Sequence, residues 1–126
     1  MNMESLLREA VVRRASDLHV TVGAPPILRI NGLLLRLDLP TLGVDDTRQL
    51  YEAITTEQRR ALFEQNGEID FSYTIIGLSR FRVNVFRQRG SIAIAIRIIP
   101  ERVPKLEELN LPDVLRELAV KPRGLV

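Results

Sequence analysis

Five arginines, Arg80, Arg82, Arg87, Arg89 and Arg97, are threaded through RFRVNVFRQRGSIAIAIRIIP (Arg80–Pro100), which otherwise alternates like two apolar β-strands. A guanidinium is a permanently charged, planar fork of N–H donors that matches carboxylate or phosphate oxygens two at a time. Side chains alternate across a strand, so Phe81, Val83 and Val85 share one face and Arg80, Arg82, Asn84 and Phe86 the other. On the return strand, Ile92, Ile94, Ile96 and Ile98 lie opposite in face to Ala93, Ala95, Arg97 and Ile99. Both apolar faces must meet one core, which sets the parity of pairing, and a two-residue turn at Arg89-Gly90 satisfies it. Gln88 then pairs with Ser91, Asn84 with Ala95, and Arg82 with Arg97. Like charges directly opposite cost roughly 0.2–1 kcal/mol, and Ala93 and Ala95, toward the turn, are too small to cover them. Such a face suits a ligand, an acidic partner surface or a phosphate. The competing occupant is a carboxylate of the domain itself, with Asp70 on an adjacent strand as the candidate.

No catalytic set accompanies the arginines. His19, the lone histidine, sits in a strand without a second metal ligand and reads as structural. The glycines never fall into G-x-x-x-x-G-K-[ST], so the loop that cradles a triphosphate is absent from this chain. Asp17, Asp45, Asp46 and Asp70 lack metal-site spacing, and two of them fit helix caps better; no metal is expected. With no cysteine, disulfides and thiolate metal sites are excluded, which fits a reducing compartment. The longest apolar run falls far short of the ~20 residues of a membrane-spanning helix, and MNMESLLREAVVRR is not a signal peptide, so the cytoplasm is expected. A net charge of only +2 and an aromatic content of 5% argue against nucleic acid as a partner.

The elements that must position these side chains are legible in outline. Residues 3–15 form an amphipathic helix with Leu6, Leu7, Ala10 and Val11 on one face. LHVTV (Leu18–Val22) follows as a strand, and ILRINGLLLRL is a hairpin turning on Asn31-Gly32, the pair that tolerates a type I′ turn. Asp45 or Asp46 is expected to cap a helix bearing Leu50 and Ile54. Thr55-Thr56-Glu57-Gln58 has capping-box spacing for another helix, with Leu62 and Phe63 inward and Asn66-Gly67 as its stop. EIDFSYT then places Ile69, Phe71 and Tyr73 on one face and Glu68, Asp70 and Ser72 on the other, before the arginine hairpin. Past Pro100, residues 101–126 read as a linker and a short helix, ending at Leu125-Val126 like the start of a buried strand. That ending reads as a domain boundary or a truncation. The fold class expected is α+β: an antiparallel sheet of about six strands with helices on one face.

Three ordered stretches carry a family likeness. ASDLHVTVGAPPILRINGLLLRLD (Ala15–Asp38), SRFRVNVFRQRGSIAIAIRIIP (Ser79–Pro100) and LEELNLPDVLRELAVKPRGLV (Leu106–Val126) resemble the N-terminal part of PilT-type twitching-motility ATPases, up to the residues before their Walker A loop. The resemblance implies a PAS-like N-terminal domain over residues 1–100 and, over 101–126, a lead into a RecA-like ATPase core that this chain lacks. It implies a homohexameric pilus-retraction motor of the type II and type IV secretion ATPase superfamily, cytoplasmic and docked on the inner-membrane platform protein of the pilus machine. ATP and Mg²⁺ would be its cofactors when whole, with nothing held tightly by this chain alone. It also implies that Arg82 and Arg97 reach the phosphates of ATP bound by the core, so that nucleotide state sets the angle between domains. Arg80, Arg87 and Arg89 would contact a neighbouring subunit or play secondary roles. A stand-alone PAS-like sensor or adaptor is the alternative.

Overall fold

A computed structural model describes residues 2–100. The expected linker and helix of 101–126 lie outside the described residues. The chain runs α1 (Met3–Val12), β1 (Asp17–Val20), β2 (Ile27–Ile30), β3 (Leu33–Arg36), α2 (Val44–Ala53), α3 (Glu57–Asn66), β4 (Glu68–Ile75), β5 (Ser79–Gln88) and β6 (Ser91–Ile99). The six strands form one antiparallel sheet in the order β3-β2-β1-β6-β5-β4. The helices pack on one face, so the α+β expectation is met. Leu18, Val20, Leu28, Phe81, Val83, Val85, Ile94 and Ile96 form the sheet side of the core. Met3, Leu6, Leu7, Ala10, Leu50, Tyr51, Ile54 and Phe63 form the helix side.

The hairpins follow the local chemistry. Asn31 and Gly32 adopt φ of 52° and 82°, and Arg89 and Gly90 adopt 54° and 80°, the positive values both central residues of a type I′ turn require. The β5–β6 register is the one parity demanded, with Gln88 opposite Ser91, Asn84 opposite Ala95 and Arg82 opposite Arg97. Alternation in β4 also holds: Ile69 is buried and Phe71 and Tyr73 half-buried, while Glu68, Asp70 and Ser72 are exposed.

Four details differ from the sequence expectation. α1 stops at Val12, three residues early, because Arg14 turns left-handed at φ 59°. The Ala15 N–H then reaches the Ala10 carbonyl at 2.9 Å and the Arg14 N–H the Val11 carbonyl at 3.0 Å, a Schellman pair built without glycine. α2 is capped at Gly43, and Asp46 serves from inside the first turn, its Oδ2 accepting the Gly43 N–H at 2.7 Å. The cap of α3 is Thr56, whose Oγ1 accepts the Arg59 N–H; it falls one residue past Thr55, and Arg59, which only donates, cannot return the reciprocal bond of the expected Thr55–Gln58 box. Finally, Leu62 is 49% exposed, and Phe63 alone of α3 is buried. Arg59 lies 4.6 Å above the Phe71 ring of β4, and Phe63, one turn on, packs against Tyr51 of α2, which turns Leu62 outward.

Candidate functional site

The face of the sheet away from the helices carries the arginines. Because the strands are in register, residues line up in rows across it. One row reads Arg29 (β2), Asp17 (β1), Arg97 (β6), Arg82 (β5) and Ser72 (β4). The next reads His19, Ala95, Asn84 and Asp70. With strands ~4.8 Å apart, Arg29 and Arg82 stand about 14 Å from one another at the backbone.

Each arginine of the central pair has its own carboxylate. Arg82 Nε approaches Asp70 Oδ1 at 3.5 Å, and Arg97 Nε approaches Asp17 Oδ1 at 3.5 Å. The internal neutralisation by Asp70 weighed from sequence is therefore present, and it relieves the repulsion across the pair. Both closest contacts are made through Nε. Among the described residues, the terminal nitrogens of Arg82 and Arg97 make no hydrogen bond to protein, and the side chains are 63% and 72% exposed. At 3.5 Å and this exposure, such ion pairs orient more than they stabilise, roughly 0–1 kcal/mol each. The floor between them is a shallow depression of about 290 Å³ lined by Asp17, Asp70, Arg82, Asn84, Ala95, Ile96 and Arg97. Asn84 is held by its own amide, which donates to Glu68 Oε2 at 3.0 Å and the Ile69 carbonyl at 3.2 Å. Ala93, expected to extend this open floor, is buried; only Ala95 remains half-exposed.

The remaining arginines separate. Arg80 stands on the same face one row along, exposed, opposite Thr74 and Ile99. Arg89 is exposed in the hairpin turn. Arg87 is on the other face: it pairs with Glu64 of α3 at 3.1 Å and lies 4.8 Å above the Phe63 ring. His19 sits half-buried beside Asp17 on the arginine face.

Two members of the row were missed by sequence reasoning. From sequence Asp17 shows only a lack of metal-site spacing, yet its side chain is 15% exposed and bridges Arg97 to Arg29, whose Nε lies 3.8 Å from Oδ2. Period-2 alternation would have put Asp17 and Arg29 opposite in face to Leu18 and Leu28. That both meet Arg97 depends on β1 pairing with β6, which no local pattern announces. Among the described residues no cluster of potential ligands could hold a metal ion, and no helix is long and apolar enough to cross a membrane.

No protein-family model matches the chain. It is 39% identical to the type IV pilus ATPase PilU of Pseudomonas aeruginosa over 126 residues, covering 100% of this chain and 33% of PilU. It is 37% identical to that organism's pilus retraction ATPase PilT, covering 100% of this chain and 37% of PilT. Among solved structures, the pilus retraction motor PilT with bound ADP superimposes with a TM-score of 0.76 at 43% identity, over 90% of this chain and 33% of that one. The ATPase DotB of Legionella pneumophila follows at 0.68 and 29% identity, over 88% of this chain and 32% of its own. The chain thus spans about a third of the length of the curated relatives it matches.

Proposed function

Because the chain is a homologue of the N-terminal part of PilT-type pilus ATPases, we propose that it is the nucleotide-sensing domain of a type IV pilus retraction motor. In this reading a RecA-like core holds ATP and Mg²⁺, and Arg82 and Arg97 reach across to the phosphates from the open sheet face. Nucleotide state then sets how the two domains sit against each other. One observation carries it. Two arginines in register expose terminal N–H forks side by side, with no hydrogen bond to them among the described residues, while carboxylates steady each from the Nε side. A phosphate chain offers the oxygens such forks match. The sheet order, with the β1–β2 hairpin beside β6, supports the PAS-like description.

The same reading carries the rest of the motor: a homohexamer in which own and neighbouring cores contact this domain, docked in the cytoplasm on the pilus platform protein. Nucleic acid has no part in it. A stand-alone sensor would need room for a small molecule in the core, where Phe63, Phe81, Leu18 and Ile94 instead pack with less than 2% exposure. The test is ATP turnover by the protein that joins this chain to its core. Arg82→Ala and Arg97→Ala should each lower turnover by ~10-fold or more while the fold is kept. Undiminished turnover in both overturns the phosphate role. Reading the gene beyond Val126 is cheaper, since a G-x-x-x-x-G-K-[ST] loop is expected within about fifteen residues.

A further inference from the structure

Asp17 poses a problem that the phosphate reading leaves open. Its carboxylate is largely buried and takes Arg97 on Oδ1, Arg29 on Oδ2 at 3.8 Å, and the Ser16 hydroxyl on Oδ2 at 2.7 Å. A phosphate drawing Arg97 toward itself weakens the Oδ1 contact. With the side chain only 15% exposed, taking the closer of its two cations from this carboxylate costs more than breaking a fully exposed pair, unless the second, Arg29, makes good the loss. Arg82 faces no such difficulty, because Asp70 is 51% exposed and water can replace the lost partner.

We propose that Arg29 is the reserve counter-ion of the site: it keeps Asp17 neutralised when Arg97 moves onto a phosphate. This rests on the phosphate reading of the open face and adds a residue to it. Arg29 suits the role by position. It occupies the same row on the far side of Asp17 from Arg97, so it can follow the carboxylate without approaching the ligand. Its Nη1 leans on the Gly32 carbonyl at a long 3.4 Å, a weak tether on the β2–β3 turn. Its side chain is 42% exposed, against 72% for Arg97, so it is the more settled of the two partners. Arg29 is thus a positioning residue acting through Asp17, and the two arginines share one anion whose allegiance the ligand decides.

The experiment titrates the 126-residue chain with sodium tripolyphosphate and follows the arginine Nε–Hε signals by NMR, with thermal melts as a folding control. In the unsubstituted chain the largest shifts are expected at Arg82 and Arg97. Arg29→Gln should weaken binding about fivefold or more, and Arg29→Lys should retain it. The double variant Asp17→Asn with Arg29→Gln should bind at least as tightly as the unsubstituted chain, because no carboxylate is left to strand. A merely structural Arg29 would not be rescued by removing its partner. Equal binding by Arg29→Gln, or a double variant no tighter than Arg29→Gln, overturns the reserve role and leaves the phosphate reading standing. Absence of any response at Arg82 and Arg97 in the unsubstituted chain overturns the reserve role, while the phosphate reading stands or falls on the turnover test of the joined protein. Should Arg29→Gln fail to fold, Asp17→Asn alone decides: tighter binding supports the proposal and weaker binding overturns it.

Discussion

Two side chains of opposite character sit at the α3 end of the domain. Tyr51 is buried at 4% exposure against Phe63, ring centroids 5.3 Å apart, and its hydroxyl has no hydrogen-bond partner among the described residues. Burial raises its phenol above the ordinary value of 10.0, with Arg60 pulling the other way. A phenol that keeps its proton longer folded than unfolded adds stability that is complete below about pH 10 and falls as pH rises beyond it. Denaturant midpoints across alkaline pH should show that loss, and Tyr51→Phe should flatten it. At neutral pH the same substitution should leave stability unchanged or raise it by up to ~1 kcal/mol, since it deletes an unsatisfied buried hydroxyl. Arg87 is the counter-example among the hairpin arginines. It is tied to Glu64 and Phe63 on the helix face, so Arg87→Ala should lower stability by about 0.5–1 kcal/mol in denaturant melts. The tripolyphosphate response at Arg82 and Arg97 should stay as it was. A lost response would show that Arg87 belongs to the anion site after all.

Among the elements, local rules succeeded where one residue type has a near-monopoly on a conformation. Asn31-Gly32 announced its turn, and Gly67, at φ 79°, ends α3 as its sequence position indicated. They failed where an unfavoured residue takes the special conformation because packing demands it. Arg14 is such a case: it accepts a left-handed φ so that Ala15 and Ala10, both buried, can meet under the end of α1. Arg14→Gly removes the Cβ penalty at that cap and should raise stability by about 1 kcal/mol in thermal or denaturant melts. A loss instead would mean that the Arg14 side chain contributes packing. Leu62 shows the other limit. A short apolar stretch in a mostly polar helix does not say which of two neighbouring residues faces inward; the lie of α3 along β4 selects Phe63.

At the scale of the molecule, the described residues are built on one antiparallel sheet with the helices on one face. Phe81, near the start of β5 on the helix-covered face, has 0% exposure, and Phe81→Ala should cost about 3–5 kcal/mol, read as a shift of the denaturant midpoint. A much smaller loss would imply that the helices close over the gap. Among the described residues, all three helices pack on one side of the sheet, and Arg82 and Arg97 stand exposed on the other.

Alternation and turn chemistry by themselves determined the β5–β6 hairpin, its register and the pairing of Arg82 with Arg97. These are local properties, set by a side-chain period of two and a turn of two residues. Asp70 as a neutralising partner was legible for the same reason, because β4 and β5 are neighbours along the chain. Only the tertiary structure brought β1 against β6 and so placed Asp17 between Arg29 and Arg97. That pairing joins opposite ends of the described chain, and periodicity carries no information about which distant strand a strand will choose. The arginines could be counted from the sequence; the half-buried carboxylate that Arg29 and Arg97 share could be found only in the folded sheet.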